Sequence, residues 1–161
     1  VEEKLKAQGF LAIKVINGGV SGSTTASALS RLKWYLRDRP DIVLLALGAN
    51  DGLRGLPTIQ IKNNLAETIE LSLSKGIRVV LAGMRMPPNY GENYTLQFEK
   101  VFHELAKEYD IPFIPFLLEG VAGDPKLNLP DAIHPNERGH QIISQLVYKT
   151  IVKMVNTPPS R

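Results

Sequence analysis

The sequence predicts an α/β protein, a three-layer α/β/α arrangement with a doubly wound parallel sheet between its helices. Two observations predict it. Short, nearly all-apolar and β-branched runs alternate along the chain with longer stretches whose apolar residues recur at helical spacing. The runs are continuous rather than alternating, which is how strands read when helices cover both faces of a parallel sheet. Such a chain, joined by right-handed crossovers, winds into an open sheet whose ligands sit at the carboxyl ends of its strands. Its 161 residues, 43% of them hydrophobic, suffice for one domain with a real core, and the whole of 1–161 is expected to form it.

Four runs are expected as strands: residues 12–17, 42–47, 77–82 and 112–116. The first helical pattern carries Leu29, Leu32 and Leu36 and ends ahead of Pro40, because the residue before a proline is driven out of the helical region. The second carries Ile61, Leu65, Ile69 and Leu73, with Gly76 as its C-terminal stop. The third runs through Phe98, Val101, Phe102, Leu105 and Tyr109. The last runs through Ile142, Ile143, Leu146, Val147, Thr150, Ile151 and Met154, with Asn136 as its N-cap. Residues 156–161 read as a frayed tail.

Composition removes several classes of function. The longest unbroken apolar stretch, 42–47, falls far short of the roughly 18 residues of a bilayer span, so integral membrane association is not expected. With no Cys there are no disulfides, thiolate nucleophiles or iron–sulfur clusters, while the compartment stays open. A net charge of +3, scattered along the chain, does not argue for nucleic acid. Arg31, Lys33, Arg37 and Arg39 around Trp34 and Tyr35 read as a solvated helix face.

The polar clusters follow the strands. Asp131 and His134 are three apart in a loop bracketed by Pro130 and Pro135. One turn at that spacing brings a carboxylate onto imidazole Nδ1–H and leaves Nε2 free as a general base. A plain loop hydrogen bond, or a metal site completed by His140, remains open at this point. Gly48-Ala49-Asn50-Asp51-Gly52 has the composition of a β-turn, and also that of a donor site where Asn50 faces a developing oxyanion. Gly18-Gly19-Val20-Ser21-Gly22-Ser23-Thr24 lacks the Lys of a phosphate loop and narrowly misses the G-x-S-x-G elbow. Gly22 offers an unobstructed N–H to the same oxyanion, while Ser21 and Ser23 read as turn and capping residues.

These pieces, in this order, resemble the SGNH or GDSL hydrolases, and within them the branch of bacterial acyl-CoA thioesterase I, lysophospholipase L1 and arylesterase. Asn50-Asp51-Gly52-Leu53-Arg54-Gly55 resembles that branch's asparagine block. Met86-Pro87-Pro88-Asn89-Tyr90-Gly91 is similar to its proline-rich loop, and Asp131-Ala132-Ile133-His134-Pro135-Asn136 to its terminal acid–histidine block. The resemblance implies a flavodoxin-like SGNH fold, with Gly22 and Asn50 as oxyanion donors, His134 as base and acid, and Asp131 orienting it. It implies acyl-ester or thioester hydrolysis through an acyl-serine, with no metal or organic cofactor. The family's serine lies in a Gly-Asp-Ser-Leu block after an additional first strand. Residues 1–10 look like the end of the helix behind that block, so nucleophile and first strand are expected on a segment ahead of Val1. Some relatives are exported, and the resemblance leaves the compartment open between periplasmic or secreted and cytoplasmic.

Gly52–Leu56 is expected to be a loop that moves on substrate binding. Gly52, Leu53, Met86, Pro87 and Tyr90, beside Met84, are candidates for an acyl groove. Two other readings compete: a catalytically inactive module that binds an acyl chain or another ligand on the same rim, and a flavodoxin-like flavin or nucleotide binder, for which no phosphate loop is present.

Overall fold

The apolar run after Pro40 becomes strand β1 (Ile42–Leu45), and the two later runs become β2 (Arg78–Ala82) and β3 (Phe113–Ile114) in the computed structural model, which describes residues 1–157. The three strands form one parallel sheet in the order β1-β2-β3, with Ile42 opposite Arg78, Leu45 opposite Leu81, and Ala82 opposite Ile114. The chain divides into two compact units, Gly18–Phe116 and Val1–Asn17 with the chain from Leu117 onward.

In the larger unit the sheet is joined to α2 (Ala28–Tyr35), α3 (Ala49–Leu53), α4 (Thr58–Ser74) and α5 (Glu92–Glu108). Helix α4 turns Ile61, Leu65, Thr68, Ile69 and Ser72 inward, a 3–4 spacing that puts one stripe against β2, α2 and α5. Its end is a Schellman closure. Gly76, at φ +72°, donates to the Leu73 carbonyl at 2.9 Å, and Ile77 donates to Ser72 at 3.0 Å. Helix α5 contributes Phe98, Phe102 and Leu105, which with Leu45, Val79 and Leu81 make the core of this unit. Arg39, at φ 49°, breaks the helical path just before Pro40 as expected.

In the smaller unit α1 (Glu2–Ala7) packs on α6 (Glu137–Asn156), with Leu5, Val121, Val147, Ile151 and Met154 buried. Asn136 caps α6, its side-chain oxygen accepting from Gly139 N–H at 3.1 Å. Gly139 is buried so tightly that a Cβ there would overlap the Leu127 carbonyl.

Two expectations are corrected. Residues 12–17 form no strand. An apolar run becomes a strand only where a neighbour accepts and donates along its ladder, and none pairs with this run among the described residues. Its backbone is instead tied by Val15 N–H to the Glu2 carboxylate at 2.7 Å, and Val15 and Ile16 stay exposed. Asn156 is the last residue of α6 rather than part of a frayed tail, because Met154 and Ile151 still anchor that turn in the core. The tail from 158 lies outside the described residues.

Candidate active site

Asp131 and His134 are brought together as the spacing predicts. Asp131 Oδ1 accepts the backbone N–H groups of Ile133 at 3.0 Å and His134 at 2.9 Å, and Oδ2 lies 2.8 Å from His134 Nδ1. The chain reverses at Ala132, which adopts φ 61°, and is closed by Leu129 N–H on the His134 carbonyl at 2.7 Å. The backbone N–H of His134, then that of Ile133, then the imidazole hold the Asp131 carboxyl down at about 2. An ionised carboxylate only accepts, so Nδ1 carries the hydrogen and Nε2 presents a lone pair. Nε2 has no partner among the described residues, and the imidazole is exposed.

The other two expected residues lie in the larger unit, where β1 releases the chain into α3. Gly48 and Gly52 are four apart on one face of that turn, and Phe102 and Phe98 are four apart on α5. A Cβ on Gly48 would lie 2.9 Å from the Phe102 ring, and one on Gly52 would lie 2.8 Å from Phe98 and overlap the Met86 thioether. The two glycines therefore seat α3 directly on the aromatic ladder Tyr94–Phe98–Phe102, whose ring centroids are 6.2 and 5.3 Å apart. That close seat fixes Asn50 and Asp51 at the carboxyl end of β1.

Asn50 Nδ2 donates to the Ser23 carbonyl at 3.0 Å, which leaves the second amide hydrogen for another acceptor. Gly22, one residue away from Ser23, adopts φ +74°, and its N–H has no partner among the described residues. A Cβ there would meet nothing within 4 Å, so backbone conformation alone calls for glycine. Asn50 thus holds the carbonyl of the residue that follows Gly22. Ser21 is exposed at that turn and Ser23 is engaged through its carbonyl.

Of the acyl-groove candidates, Leu53, Pro87 and Tyr90 are at least partly exposed and adjacent: Tyr90 Oη donates to the Leu53 carbonyl at 3.0 Å, and Tyr90 N–H to Pro87 at 3.1 Å. Gly52 and Met86 are buried against one another, so both act in packing. The segment Gly52–Leu56, expected as a loop, is partly helical. It begins inside α3 and ends in a Schellman closure, with Gly55 at φ +63°, Gly55 N–H on Gly52 at 2.9 Å and Leu56 N–H on Asp51 at 3.0 Å. Tyr94 Oη ties the Leu56 carbonyl at 2.8 Å.

Sequence reasoning missed Asp51. Its carboxylate is 1% exposed and accepts the hydroxyl of Thr25 at 2.6 Å and the Thr25 N–H at 2.9 Å. A carboxylate between small residues reads as a turn, and nothing local announces that its partner lies 26 residues upstream.

The model of the GDSL-like lipase/acylhydrolase family matches residues 1–142. The chain belongs to that family. It is 40% identical over 142 residues to an arylesterase of Vibrio mimicus, covering 88% of this chain and 71% of that protein. It is 35% identical over 143 residues to the thioesterase 1/protease 1/lysophospholipase L1 of Escherichia coli, covering 88% and 69%. Among solved structures it is similar to the psychrotrophic esterase EstA from Pseudoalteromonas sp., inhibited by monoethylphosphonate, with a TM-score of 0.89 and 32% identity over 97% of this chain and 85% of that one. The α/β architecture with a parallel sheet is therefore the SGNH hydrolase fold. The fold is thus that of an ester-hydrolase scaffold rather than of a flavin or nucleotide binder.

Proposed function

We propose that this family member hydrolyses acyl esters or thioesters of small molecules through an acyl-serine intermediate, with His134, Asp131, Gly22 and Asn50 as its site residues. The observation that carries the reading is the Asp131 turn, which accepts Nδ1–H at 2.8 Å and turns a lone pair of His134 outward. The attacking serine is supplied by the Gly-Asp-Ser-Leu block that the family resemblance puts ahead of Val1. Its Oγ bonds to the acyl carbon while its proton passes to His134 Nε2. The carbonyl electron pair moves onto oxygen, where Gly22 N–H and the free amide hydrogen of Asn50 hold it. Collapse breaks the bond to the leaving oxygen or sulfur, which takes the proton back from Nε2. Water then repeats the cycle on the acyl-serine. Leu53, Pro87 and Tyr90 supply apolar surface for the acyl chain, and the names of the relatives support both oxyester and thioester substrates.

The test is to label the full-length protein with a fluorophosphonate and map the adduct by peptide mass spectrometry. One adduct, on a serine outside residues 1–161, with hydrolysis of p-nitrophenyl acyl esters that His134→Ala abolishes, is the expected result. An adduct on Ser21 or Ser23 would reassign the nucleophile. A folded full-length protein with neither label nor turnover would make the rim a binding surface.

A further inference from the structure

The loop that carries Gly22 is held by two residues of α3, Asn50 and Asp51, and by Arg54 at its C-cap, and only Asn50 belongs to the site proposed above. Asn50 reaches the Ser23 carbonyl at 3.0 Å and Arg54 reaches the Gly22 carbonyl at 3.0 Å. Between them Asp51 takes the Thr25 hydroxyl at 2.6 Å and the Thr25 N–H at 2.9 and 3.2 Å. Thr25 is fully buried, and its hydroxyl, which donates to Asp51, accepts from Asn64 of α4 at 3.0 Å. The Asp51 carboxylate oxygens and the Thr25 hydroxyl and N–H are all paired, and the charged acceptor makes this link stronger than a neutral one. The loop from 18 to 24 has no strand or helix of its own. Its register against α3 therefore rests on these ties, and the buried one cannot be replaced by water.

We propose that Asp51 is a positioning residue for ester hydrolysis, clamping Thr25 so that the Gly22 N–H and the Asn50 amide stay in one fixed relation, with Arg54 as the outer tie of the same clamp. The inference rests on the hydrolase reading and names the device that sets its oxyanion donors. Donors placed in advance lower the barrier because they need not reorganise when charge appears, and a shift of an ångström in their placement is enough to cost about a hundredfold. Asp51 touches no substrate. Its effect passes through the loop.

The experiment uses the full-length enzyme with Asp51→Asn, Thr25→Val, Thr25→Ser and Arg54→Ala. Asp51→Asn keeps the shape but turns an amide toward the Thr25 N–H. It should lower kcat by about ten- to a hundredfold with KM nearly unchanged. Affinity for a trifluoromethyl ketone, which forms the oxyanion adduct, should fall in proportion. Thr25→Val should do the same, and Thr25→Ser, which keeps the hydroxyl, should restore wild-type turnover. Arg54→Ala, at an exposed position, should fall between. Folded Asp51→Asn with wild-type kcat overturns the proposal, as does a loss confined to KM, or a loss of kcat with unchanged ketone affinity. If Asp51→Asn does not fold, wild-type kcat in both Thr25→Val and Arg54→Ala overturns it. A wild type that turns over no ester ends the hydrolase reading and with it the role in hydrolysis, while the clamp on the loop stays open to test. Amide relaxation of Gly22 and of the Asn50 side chain then reads the clamp directly, and unchanged order in the variants overturns it.

Discussion

Asp131 does two jobs with two oxygens: Oδ1 builds the turn and Oδ2 holds the ring. Its carboxyl is held near 2, below the ordinary 3.8, chiefly by the His134 backbone N–H. A depressed value means that the turn's contribution is fully present above about pH 4 and is lost as pH falls through about 2. The Ile133 and His134 amide resonances should accordingly titrate with a midpoint near 2. A midpoint at the ordinary value of 3.8 would show that the carboxylate does not hold the turn. Asp131→Asn separates the two jobs. The amide oxygen still accepts both backbone N–H groups, but its NH₂ now confronts Nδ1–H and favours the wrong tautomer. The turn should persist while kcat of the full-length enzyme falls by about four orders of magnitude. A drop of less than tenfold would remove Asp131 from the mechanism.

At the scale of elements, α3 is placed by what its glycines lack. Gly52→Ala would press a methyl into Phe98 and Met86, and overpacking of this kind costs about 1–3 kcal/mol. Thermal unfolding of the variant should show a loss in that range, and a melting point equal to wild type would mean that α3 is free to lift off α5. The seat explains what was legible in the chain and what was not. Asn136, Gly76 and the stripe of α4 act through contacts a few residues away, so their spacing announces them. The Asp131–His134 pair is equally local. Residues 12–17 have the composition of a strand, but strand formation depends on a partner that composition does not encode. Gly52 and Gly55 look alike in sequence as loop glycines. One is held by a distant aromatic ladder and the other by a helix end. The four-residue spacing of Gly48 and Gly52 is a signal for close helix packing, and it becomes readable only beside the matching spacing of Phe98 and Phe102.

At the scale of the whole molecule, the proposed reaction uses His134 as its base and Gly22 and Asn50 as its oxyanion donors. If both act on one transition state, their removal must not be independent. Asn50→Ala alone should lower kcat by about two to three orders of magnitude, as loss of one oxyanion donor does. His134→Ala alone should cost more, because the serine then has nothing to take its proton. In the absence of His134 the residual reaction no longer passes through the serine adduct whose oxyanion Asn50 holds. Removing Asn50 as well should then cost little, as groups that act as a unit are grossly non-additive. A control pair, Asn50→Ala with the exposed Arg37→Ala, should multiply, since the second position shares no partner with the first. The measurement is the four-way cycle of kcat on the full-length enzyme. If the His134 and Asn50 effects multiply as the control does, the two groups serve separate steps, and the common transition state proposed for this chain is wrong.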